Sequence, residues 1–335
     1  MQKAVLALLT VTALGAGSAH AQSKVGSTIG TFTRIEPGAR GAALGNAGVA
    51  LPGGIEAVFY NTGAIGLLDE ATVVYSHASW LADISHDYVA LGLPVGGQGA
   101  LFFSVTALGS GEMDVRTVDY PLGTGERYKV SDTALGLGYG KRITSRFSAG
   151  VQANYISEKI WNTAATALTF NLGTSYVLSE RGARLGFCLT NLGNRHGYSG
   201  SGLSVQYDPD PDSNGNNSAL PAEQATDLFP VSSLFRLGVS LPFTVGSSSL
   251  LVLAEGLHPN DNSESANLGV EWSLARVLSL RAGYQTLFQT DSQLGWTFGF
   301  GVQGDLGNNR YQFGYAWAGH DYLDDTHRLT LVIVF

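Results

Sequence analysis

Large apolar residues alternate with small or polar residues along the C-terminal third of the chain. The alternation has a period of two, which predicts β-strands with two different faces. In a soluble sheet the outer face would carry charge, whereas here the second face consists of Gly, Ala, Ser, Thr, Asn and Gln. A transmembrane barrel has this pattern because its outside contacts lipid and its lumen accepts small polar groups. The large face contains Leu268, Val270, Trp272, Trp296, Phe298, Phe300, Tyr311, Phe313, Tyr315, Trp317, Leu329, Leu331 and Ile333.

The composition agrees with a membrane-embedded β protein. Only 14% of the residues are charged and 44 of the 335 are glycine, compared with about 25% charged and about 7% glycine in soluble proteins. Hydrophobic residues make up 44%, which excludes a disordered chain. The chain has 19 Lys and Arg against 27 Asp and Glu and no basic cluster, so no nucleic-acid partner is expected.

Fourteen segments of the chain have the length and pattern of barrel strands. Short connections such as 96–97 and 306–308 alternate with longer ones such as 110–127 and 194–230, as in bacterial outer-membrane barrels. The sequence therefore predicts an all-β transmembrane barrel over residues 71–335. We expect it in the outer membrane of a Gram-negative bacterium, surrounded by outer-membrane lipid, with both chain ends periplasmic. The terminal Phe335 resembles the signal recognised by the barrel assembly machinery. The predicted strands are 71–80, 85–95, 98–109, 128–140, 146–158, 165–178, 183–193, 231–243, 248–258, 265–274, 277–287, 293–305, 309–319 and 326–335.

The N-terminus predicts export from the cytoplasm. Residues 1–21 have the features of a secretory signal peptide: Lys3 gives a positive start, an apolar stretch follows over 4–16, and the small residues Ala19 and Ala21 precede the cleavage site. Cys188 is the only cysteine, so neither an intrachain disulfide nor a cysteine-based metal cluster is expected.

Residues 22–70 form a separate segment rich in glycine and alanine. Its glycines interrupt it too often for a lipid-facing strand, and it is too apolar for a free linker. Irregular backbone persists at membrane depth only where protein or water satisfies it. We therefore expect this segment to lie inside the barrel or across its periplasmic mouth, as a hatch.

Part of this segment resembles the N-terminal signature of the PorV/PorQ family of outer-membrane proteins. That signature reads G-A-R-x-A-x-x-G-x-A-x-x-A, then an acidic pair, then N-P-A-G. In this chain Gly38-Ala39-Arg40 opens it, Gly53-Gly54 replaces the acidic pair and Asn61-Thr62-Gly63 forms the last step. The resemblance implies a FadL-type barrel of fourteen strands whose hatch and gate would depend on Gly38, Arg40, Gly45, Gly48 and Asn61.

The same resemblance implies two functions. PorV/PorQ members act with type IX secretion, so the first is an accessory of protein export or surface attachment. Its partners would be secretion subunits or cargo proteins, docked on the loop 194–230. FadL-type members pass hydrophobic small molecules such as long-chain fatty acids, so the alternative is a channel for such molecules. A channel needs an apolar pocket near the hatch and a gap or kink in the wall.

The predicted inward face of the strands carries a set of polar side chains. If 274–278 is a tight hairpin, Glu271 faces Arg281 across it, which predicts an ion pair that braces the wall. Two unpaired charges in a wet lumen are the alternative. The full set of lumen residues is Gln152, Asn154, Arg236, Glu271, Arg281, Gln303 and Gln312.

The sequence offers only weak candidates for a metal site or a catalytic site. Asp208, Asp210, Asp212 and Asn214 match the first half of a calcium loop, but Pro221 stands where the loop needs a bidentate Glu, and a solvated polar loop explains them as well. A second polar cluster over 320–327 has no spacing that shows converging ligands. No serine lies beside a plausible base in a known motif. Neither an enzyme activity nor a cofactor is therefore expected.

Overall fold

The computed structural model describes residues 24–97, 99–212, 217–275, 277–289 and 292–335. Within these ranges the chain forms a closed barrel of fourteen antiparallel strands. The strands are β1 (Thr72–Ser79), β2 (Ser85–Val95), β3 (Gly99–Gly109), β4 (Val130–Arg142), β5 (Phe147–Ile160), β6 (Thr163–Val177), β7 (Arg184–Gly193), β8 (Leu234–Val245), β9 (Ser248–Pro259), β10 (Ser265–Leu274), β11 (Leu278–Leu287), β12 (Leu294–Leu306), β13 (Asn309–His320) and β14 (Thr326–Val334). The predicted signal peptide lies outside the described residues.

The barrel closes between its first and last strands, with Thr72 opposite Val334 and Ser79 opposite His327. All fourteen predicted strands are present, which confirms the predicted fold class. The connection predicted at 159–164 shortens most: strands β5 and β6 run on to a two-residue turn at 161–162, where Trp161 has a φ of 50°. The strands extend because Val130 to Arg142 of β4 keep pairing with β5 as far as Ile160.

Two ends of the barrel can be distinguished by their connections. We call the end that carries the long segments 110–129 and 194–233 the loop end, and the opposite end the turn end. Each long segment contains a small two-stranded hairpin, Met113–Asp114 with Arg127–Tyr128 and Ser204–Tyr207 with Leu220–Glu223.

The outside of the barrel is apolar, as the alternation predicts. Large side chains such as Phe103, Trp272 and Phe298 are 42%, 44% and 47% exposed, because they face outward between neighbouring strands. Their inward neighbours are small or polar. Such an exterior suits lipid, since a membrane barrel needs an apolar band on its outer face. No described helix is long and apolar enough to cross a membrane.

Inside the barrel, the chain before β1 runs the length of the lumen. We call its described part, residues 24–70, the hatch segment. It begins at the loop end, where the Lys24 amide donates to the carbonyl of Asp261. It then forms four short helices: η1 (Thr31–Arg34), α1 (Ala39–Ala43), α2 (Ile55–Tyr60) and η2 (Thr62–Leu67).

The two ends of the barrel itself lie together at the turn end, whereas the first described residue of the hatch segment lies at the loop end. The amide of Phe335 pairs with Ala71 at the turn end, whereas Lys24 lies at the loop end. The reason is that the hatch segment crosses the lumen before β1 begins. That both chain ends are periplasmic stays a prediction, because residues 1–23 lie outside the described residues.

A belt of inward-facing wall glycines contacts the hatch segment. A Cβ placed on Gly283 would lie 2.6 Å from the Cα of Gly45, and one placed on Gly173 would lie 2.8 Å from the amide nitrogen of Gly63. Both contacts are too close for a side chain, so the hatch backbone lies directly on the wall. Six wall glycines face hatch backbone in this way, and two more, Gly238 and Gly299, face the side chains of Val49 and Ala43. Together these eight form the glycine belt: Gly140, Gly150, Gly173, Gly186, Gly238, Gly269, Gly283 and Gly299.

The remaining strands hold the hatch segment with apolar side chains. Val74 of β1, Phe102 of β3 and Leu253 of β9 belong to one buried cluster with hatch residues such as Ile55 and Ile65. The hatch segment therefore has two kinds of contact with the wall. Its glycine-rich turns rest on the glycine belt, and its aliphatic residues form an ordinary hydrophobic core with the other strands.

Candidate functional site

An ion-pair network joins α1 to the wall. Arg40 Nε lies 2.9 Å and Nη2 2.8 Å from the two carboxylate oxygens of Glu271. Arg281 Nε lies 2.7 Å from the same carboxylate, so the predicted pair across the hairpin is present. The carboxylate takes part in three charge-assisted hydrogen bonds, and bidentate pairing with an arginine is among the strongest of these. Glu271 thus fixes both the wall and the hatch segment.

A second carboxylate in the wall holds the next turn of the hatch segment. Glu255 accepts from Arg236 Nη1 at 2.7 Å and from the amide of Val49 at 2.8 Å. Both side chains of the pair are almost fully buried. The Arg236 guanidinium also lies over the ring of Tyr60, 5.3 Å from its centroid. The predicted lumen residue Arg236 therefore stabilises the hatch segment through Glu255 and Tyr60.

A third pair runs in the opposite direction, from hatch carboxylate to wall arginine. Arg328 of β14 has no exposed side-chain surface and lies 2.7 Å from Glu36. Its Nε donates to the carbonyl oxygen of Glu36 at 2.8 Å. The guanidinium also lies 4.9 Å from the ring centroid of Trp80, a cation–π arrangement.

The predicted hatch residues lie at points of close packing. A Cβ on Gly38 would lie 2.7 Å from Oε1 of Glu56, and one on Gly48 would overlap the ring of Tyr60. Gly45 has a φ of 64°, which glycine adopts easily, and its amide donates to Oγ1 of Thr297.

Asn61 ties the hatch segment together and to the wall. Its Nδ2 donates to the carbonyls of Val49 and Thr174, at 2.7 and 2.8 Å, and its Oδ1 accepts from the amide of Gly63. Thr62, which replaces the proline of the PorV/PorQ signature, donates its hydroxyl to the carbonyl of Gly150. The altered turn is therefore held by side-chain hydrogen bonds.

The remaining predicted lumen residues separate into two groups. Gln152 donates to Oδ1 of Asn154 at 2.8 Å, and both line a small polar cavity of about 50 Å³ between the hatch segment and β3–β8. Gln303 and Gln312 line another small cavity with Arg281, towards the turn end. The structure does not bring the seven predicted lumen residues into one site.

A cavity lies above the hatch segment at the loop end, and we call it the vestibule. It has a volume of about 420 Å³, within the usual range for small-molecule sites of about 300–1,000 Å³. Its floor is made by hatch residues, among them Ile35 and Asn46, and its walls by residues of several strands and loops, among them Trp80, Leu257 and Leu323. Its lining therefore combines apolar side chains with many polar and charged ones.

The N-terminal end of the hatch segment is fastened at the rim of the vestibule. Asp261 lies 2.6 Å from Arg34 Nη1 and accepts from the hydroxyls of Thr28 and Ser232 at 2.8 and 3.1 Å. Burial alone would raise the pKa of Asp261, but the ion pair with Arg34 and these hydrogen bonds outweigh it and hold that pKa below its ordinary value. Asp261 is therefore ionised under ordinary conditions.

A second cavity lies on the outside of the barrel at the same height. This side cavity has a volume of about 510 Å³ and is lined by Tyr284, Trp296 and Trp317 of the outer face, together with the exposed Phe288. Aromatic side chains with polar edges are typical of the interface between membrane and water.

The vestibule and the side cavity share part of one wall. Thr286, Gln289, Leu294 and His320 line both cavities. A single layer of side chains therefore separates the space inside the barrel from the outer surface at this point.

The strand pairing is interrupted at this part of the wall. The β11–β12 ladder ends at Tyr284 opposite Trp296, although β11 continues to Leu287. Thr286 and Phe288 have positive φ angles of 54° and 68°, which are strained for side chains of this kind. In place of the ladder, the hydroxyl of Thr286 contacts the hydroxyl of Ser292.

The loop candidates do not form a metal site in the part of the chain that the structure describes, where no three His, Cys, Asp or Glu converge. The side chain of Asp208 accepts from the amide of Asp210, while Asn214 lies outside the described residues. In the 320–327 cluster, His327 contacts the hydroxyl of Tyr315 and Asp325 accepts from Trp317.

Sequence reasoning missed the residues that form the vestibule and its wall. Thr286, Phe288 and Leu294 have no pattern that predicts a break in a strand. Arg328 could have been identified from the sequence, because it is a charged residue at an inward-facing position of β14, next to the outward-facing Leu329. The alternation in β14 places Arg328 inside, but it does not identify Glu36 as its partner.

Comparison with known proteins shows the fold alone. No family model and no curated protein matches this chain. Among solved structures, the CymD monoaromatic hydrocarbon channel is 11% identical with a TM-score of 0.56, over 90% of this chain and 97% of that one. A Pseudomonas aeruginosa FadL homologue is 14% identical with a TM-score of 0.53, over 89% and 98%. The Pseudomonas putida toluene transporter TodX is 12% identical with a TM-score of 0.51, over 88% and 96%.

The chain therefore has the fold of the FadL-type fourteen-stranded barrels. Two of these three structures are named as a channel or a transporter, and the third as a FadL homologue. The resemblance to the PorV/PorQ family is specific over residues 32–68, and the comparisons add no sequence match to it.

Proposed function

We propose that this protein is an outer-membrane channel for small hydrophobic molecules. The observation that carries the proposal is the wall shared by the vestibule and the side cavity, where the β11–β12 ladder is interrupted. A molecule held in the vestibule would need to move only a few side chains to reach the lipid-facing surface. The likeness to named hydrocarbon channels and a FadL homologue supports this alternative.

A straight path through the barrel is unfavourable. Below the vestibule the hatch segment lies on the glycine belt at backbone contact and is fixed by Glu271, Glu255 and Arg328. Moving it would break several buried ion pairs at once, each costly when one partner is removed. The sideways route through the wall needs no such change.

The proposed location is the outer membrane of a Gram-negative bacterium. The apolar exterior supports this location, because such a surface is stable only against lipid or another apolar layer. We place the loop end outside the cell, since the long segments of bacterial outer-membrane barrels are extracellular. Residues 1–21 would then serve as the signal peptide, 22–70 as the hatch and 71–335 as the barrel.

A larger side chain in the shared wall tests the proposed sideways route from the vestibule to the lipid. Gram-negative cells that express the protein should take up radiolabelled toluene, p-cresol or both several-fold faster than cells with an empty vector. Leu294→Trp fills the shared wall and should reduce uptake towards the vector level. Leu306→Trp is the matched control, since Leu306 ends the same strand at the turn end and is 73% exposed, and it should leave uptake unchanged.

Two results would contradict the proposal. Uptake that equals the vector level in the folded wild-type protein would exclude a channel of this class. Normal uptake by Leu294→Trp would exclude the sideways route.

A role in protein export stays a prediction from the PorV/PorQ resemblance. One observation favours a docking surface: seven of the eight residues in the hairpin of Ser204–Tyr207 with Leu220–Glu223 are exposed. Co-purification in mild detergent would support this role if secretion subunits or a cargo protein remain bound. Purification of the barrel with lipid alone would argue against it.

A further inference from the structure

The vestibule is bordered by buried polar atoms that have no protein partner. Among the described residues, Oδ1 of Asn46, Oε1 of Gln293 and both ring nitrogens of His320 lack a hydrogen-bond partner, and all three residues line the vestibule. A buried polar group without a partner is costly, at about 1–3 kcal/mol. Such groups around a cavity indicate that an occupant completes their hydrogen bonds.

The chemistry of these atoms restricts the occupant. The two amide oxygens are acceptors only, and a neutral imidazole offers one donor and one acceptor. An occupant that satisfies the amide oxygens must therefore donate hydrogen bonds, as a hydroxyl or an amine does. A pure hydrocarbon or an aprotic molecule would leave them unpaired.

The charges around the vestibule further restrict the kind of molecule that can bind there. Arg34 is paired with Asp261 and Arg236 with Glu255, and the carboxylate of Glu36 is paired with Arg328. An anion such as a fatty acid would have to compete with an existing carboxylate for each arginine. An ammonium ion would have to compete with an arginine for each carboxylate. A neutral occupant therefore binds with the smallest free-energy penalty.

The walls fit an apolar body. Trp80, Leu81, Leu234, Leu257 and Leu323 line the cavity. A cavity of about 150 Å³ already holds benzene, so the vestibule, with about 420 Å³, has room for a substituted ring and a bound water.

We infer that the vestibule selects neutral hydrophobic molecules that carry a hydrogen-bond donor, with phenols as the simplest class. This inference rests on the proposed channel function and deepens it. The ring packs against the leucines and Trp80, and the hydroxyl donates to Gln293 or Asn46. His320, which borders both cavities, stands where the hydroxyl would next make contact on the way out.

The test compares ligands of nearly equal shape. Isothermal titration of the purified full mature chain in detergent, with a detergent-only blank, measures the dissociation constants of p-cresol, p-xylene and benzoate. p-Cresol and p-xylene differ only in a hydroxyl against a methyl group. Their affinity ratio in each variant therefore reports the hydrogen bond and cancels most of the partition into detergent.

Two variants and a control locate the effect. Gln293→Leu and His320→Phe should each reduce the preference for p-cresol over p-xylene by about five- to tenfold, the value of one hydrogen bond. Gln224→Leu is the same exchange at an exposed loop residue that lines neither cavity, so it should leave the ratio unchanged. Heat-dependent migration on gels shows that each variant is folded.

Each result decides between the two proposals. A p-cresol preference that falls in Gln293→Leu or His320→Phe, but not in Gln224→Leu, supports the inference. Tightest binding of benzoate, or an affinity ratio that neither variant alters, overturns the inference and leaves the channel intact. If neither neutral ligand binds the folded wild-type protein, the proposed function fails as well.

Discussion

Replacing one glycine of the belt by alanine tests how the hatch is held. We choose Gly283→Ala because Gly283 of β11 lies beneath Gly45 of the hatch segment. The added methyl group would stand 2.6 Å from the Cα of Gly45, whereas carbon atoms pack best at about 3.5–4.0 Å. The obstacle is backbone on both sides, so no side-chain rotation can relieve it.

The expected cost follows from the displacement. The added methyl group lies closer still to the Gly45 amide nitrogen and the Leu44 carbonyl carbon. Wall and hatch must therefore separate by at least about 1 Å to restore ordinary contact, which would stretch the 3.0 Å hydrogen bond from the Gly45 amide to Thr297. Losing that bond costs about 1 kcal/mol, and overpacking costs about 1–3 kcal/mol. Gly283→Ala should therefore lower the free energy of unfolding by about 2–4 kcal/mol.

Two other glycines of the neighbouring strand make matched controls. Gly304 has no atom within 4 Å of the added Cβ, so Gly304→Ala should stay within about 0.5 kcal/mol of the wild type. At Gly301 the Cβ would lie 2.6 Å from Nη2 of Arg281. That is the end of a flexible side chain, so Gly301→Ala should fall between the other two.

Two measurements report the effect. Urea unfolding followed by tryptophan fluorescence gives the free energy, and trypsin cleavage after Arg40 shows whether the hatch segment has opened. In the wild type Arg40 is half-buried and bound to Glu271, so cleavage should be slow. If Gly283→Ala and Gly304→Ala behave alike in both measurements, the hatch does not lie on the wall as described.

Further predictions concern the ion pairs. Glu271→Gln should destabilise the protein by about 3–5 kcal/mol, because Arg40 and Arg281 lose a buried carboxylate, and unchanged urea unfolding would show that both guanidinium groups are hydrated. The pair of Asp261 with Arg34 predicts a pH dependence. Since the pKa of Asp261 is lowered on folding, its stabilisation is complete above the unfolded pKa of about 3.9 and is lost as the pH falls through the lower folded value. The difference in unfolding free energy between the wild type and Asp261→Asn should be constant from pH 8 to 5 and shrink below about pH 4; a difference that shrinks near neutral pH would contradict this.

The barrel could be predicted from the sequence because each of its strands has a local sequence pattern. Each strand shows its two faces through a period of two, and the structure reproduces segments such as 85–95 and 265–274 without change. The Glu271–Arg281 pair was equally accessible, since a short hairpin fixes which residues face each other.

The wall residues that pair with the hatch segment could not be predicted in this way. Arg40 pairs with Glu271, 231 positions away, and Arg328 pairs with Glu36, 292 positions away. Each of these contacts depends on where the closed barrel places its inward face relative to the hatch. The sequence indicates that a charge points inward, but no local pattern identifies its partner.

The high glycine content shows most clearly which features the sequence determines and which the tertiary structure decides. The alternation by itself determined that many glycines face the lumen, because each stands between outward-facing apolar residues. Only the tertiary structure decided why a side chain is absent there: the hatch backbone lies against those positions. The same holds for the vestibule and its thin wall, which hatch residues, strand ends and several loops form together. Contacts of this kind arise when the barrel closes around the hatch, so they depend on packing between distant segments and leave no periodic signal in the chain.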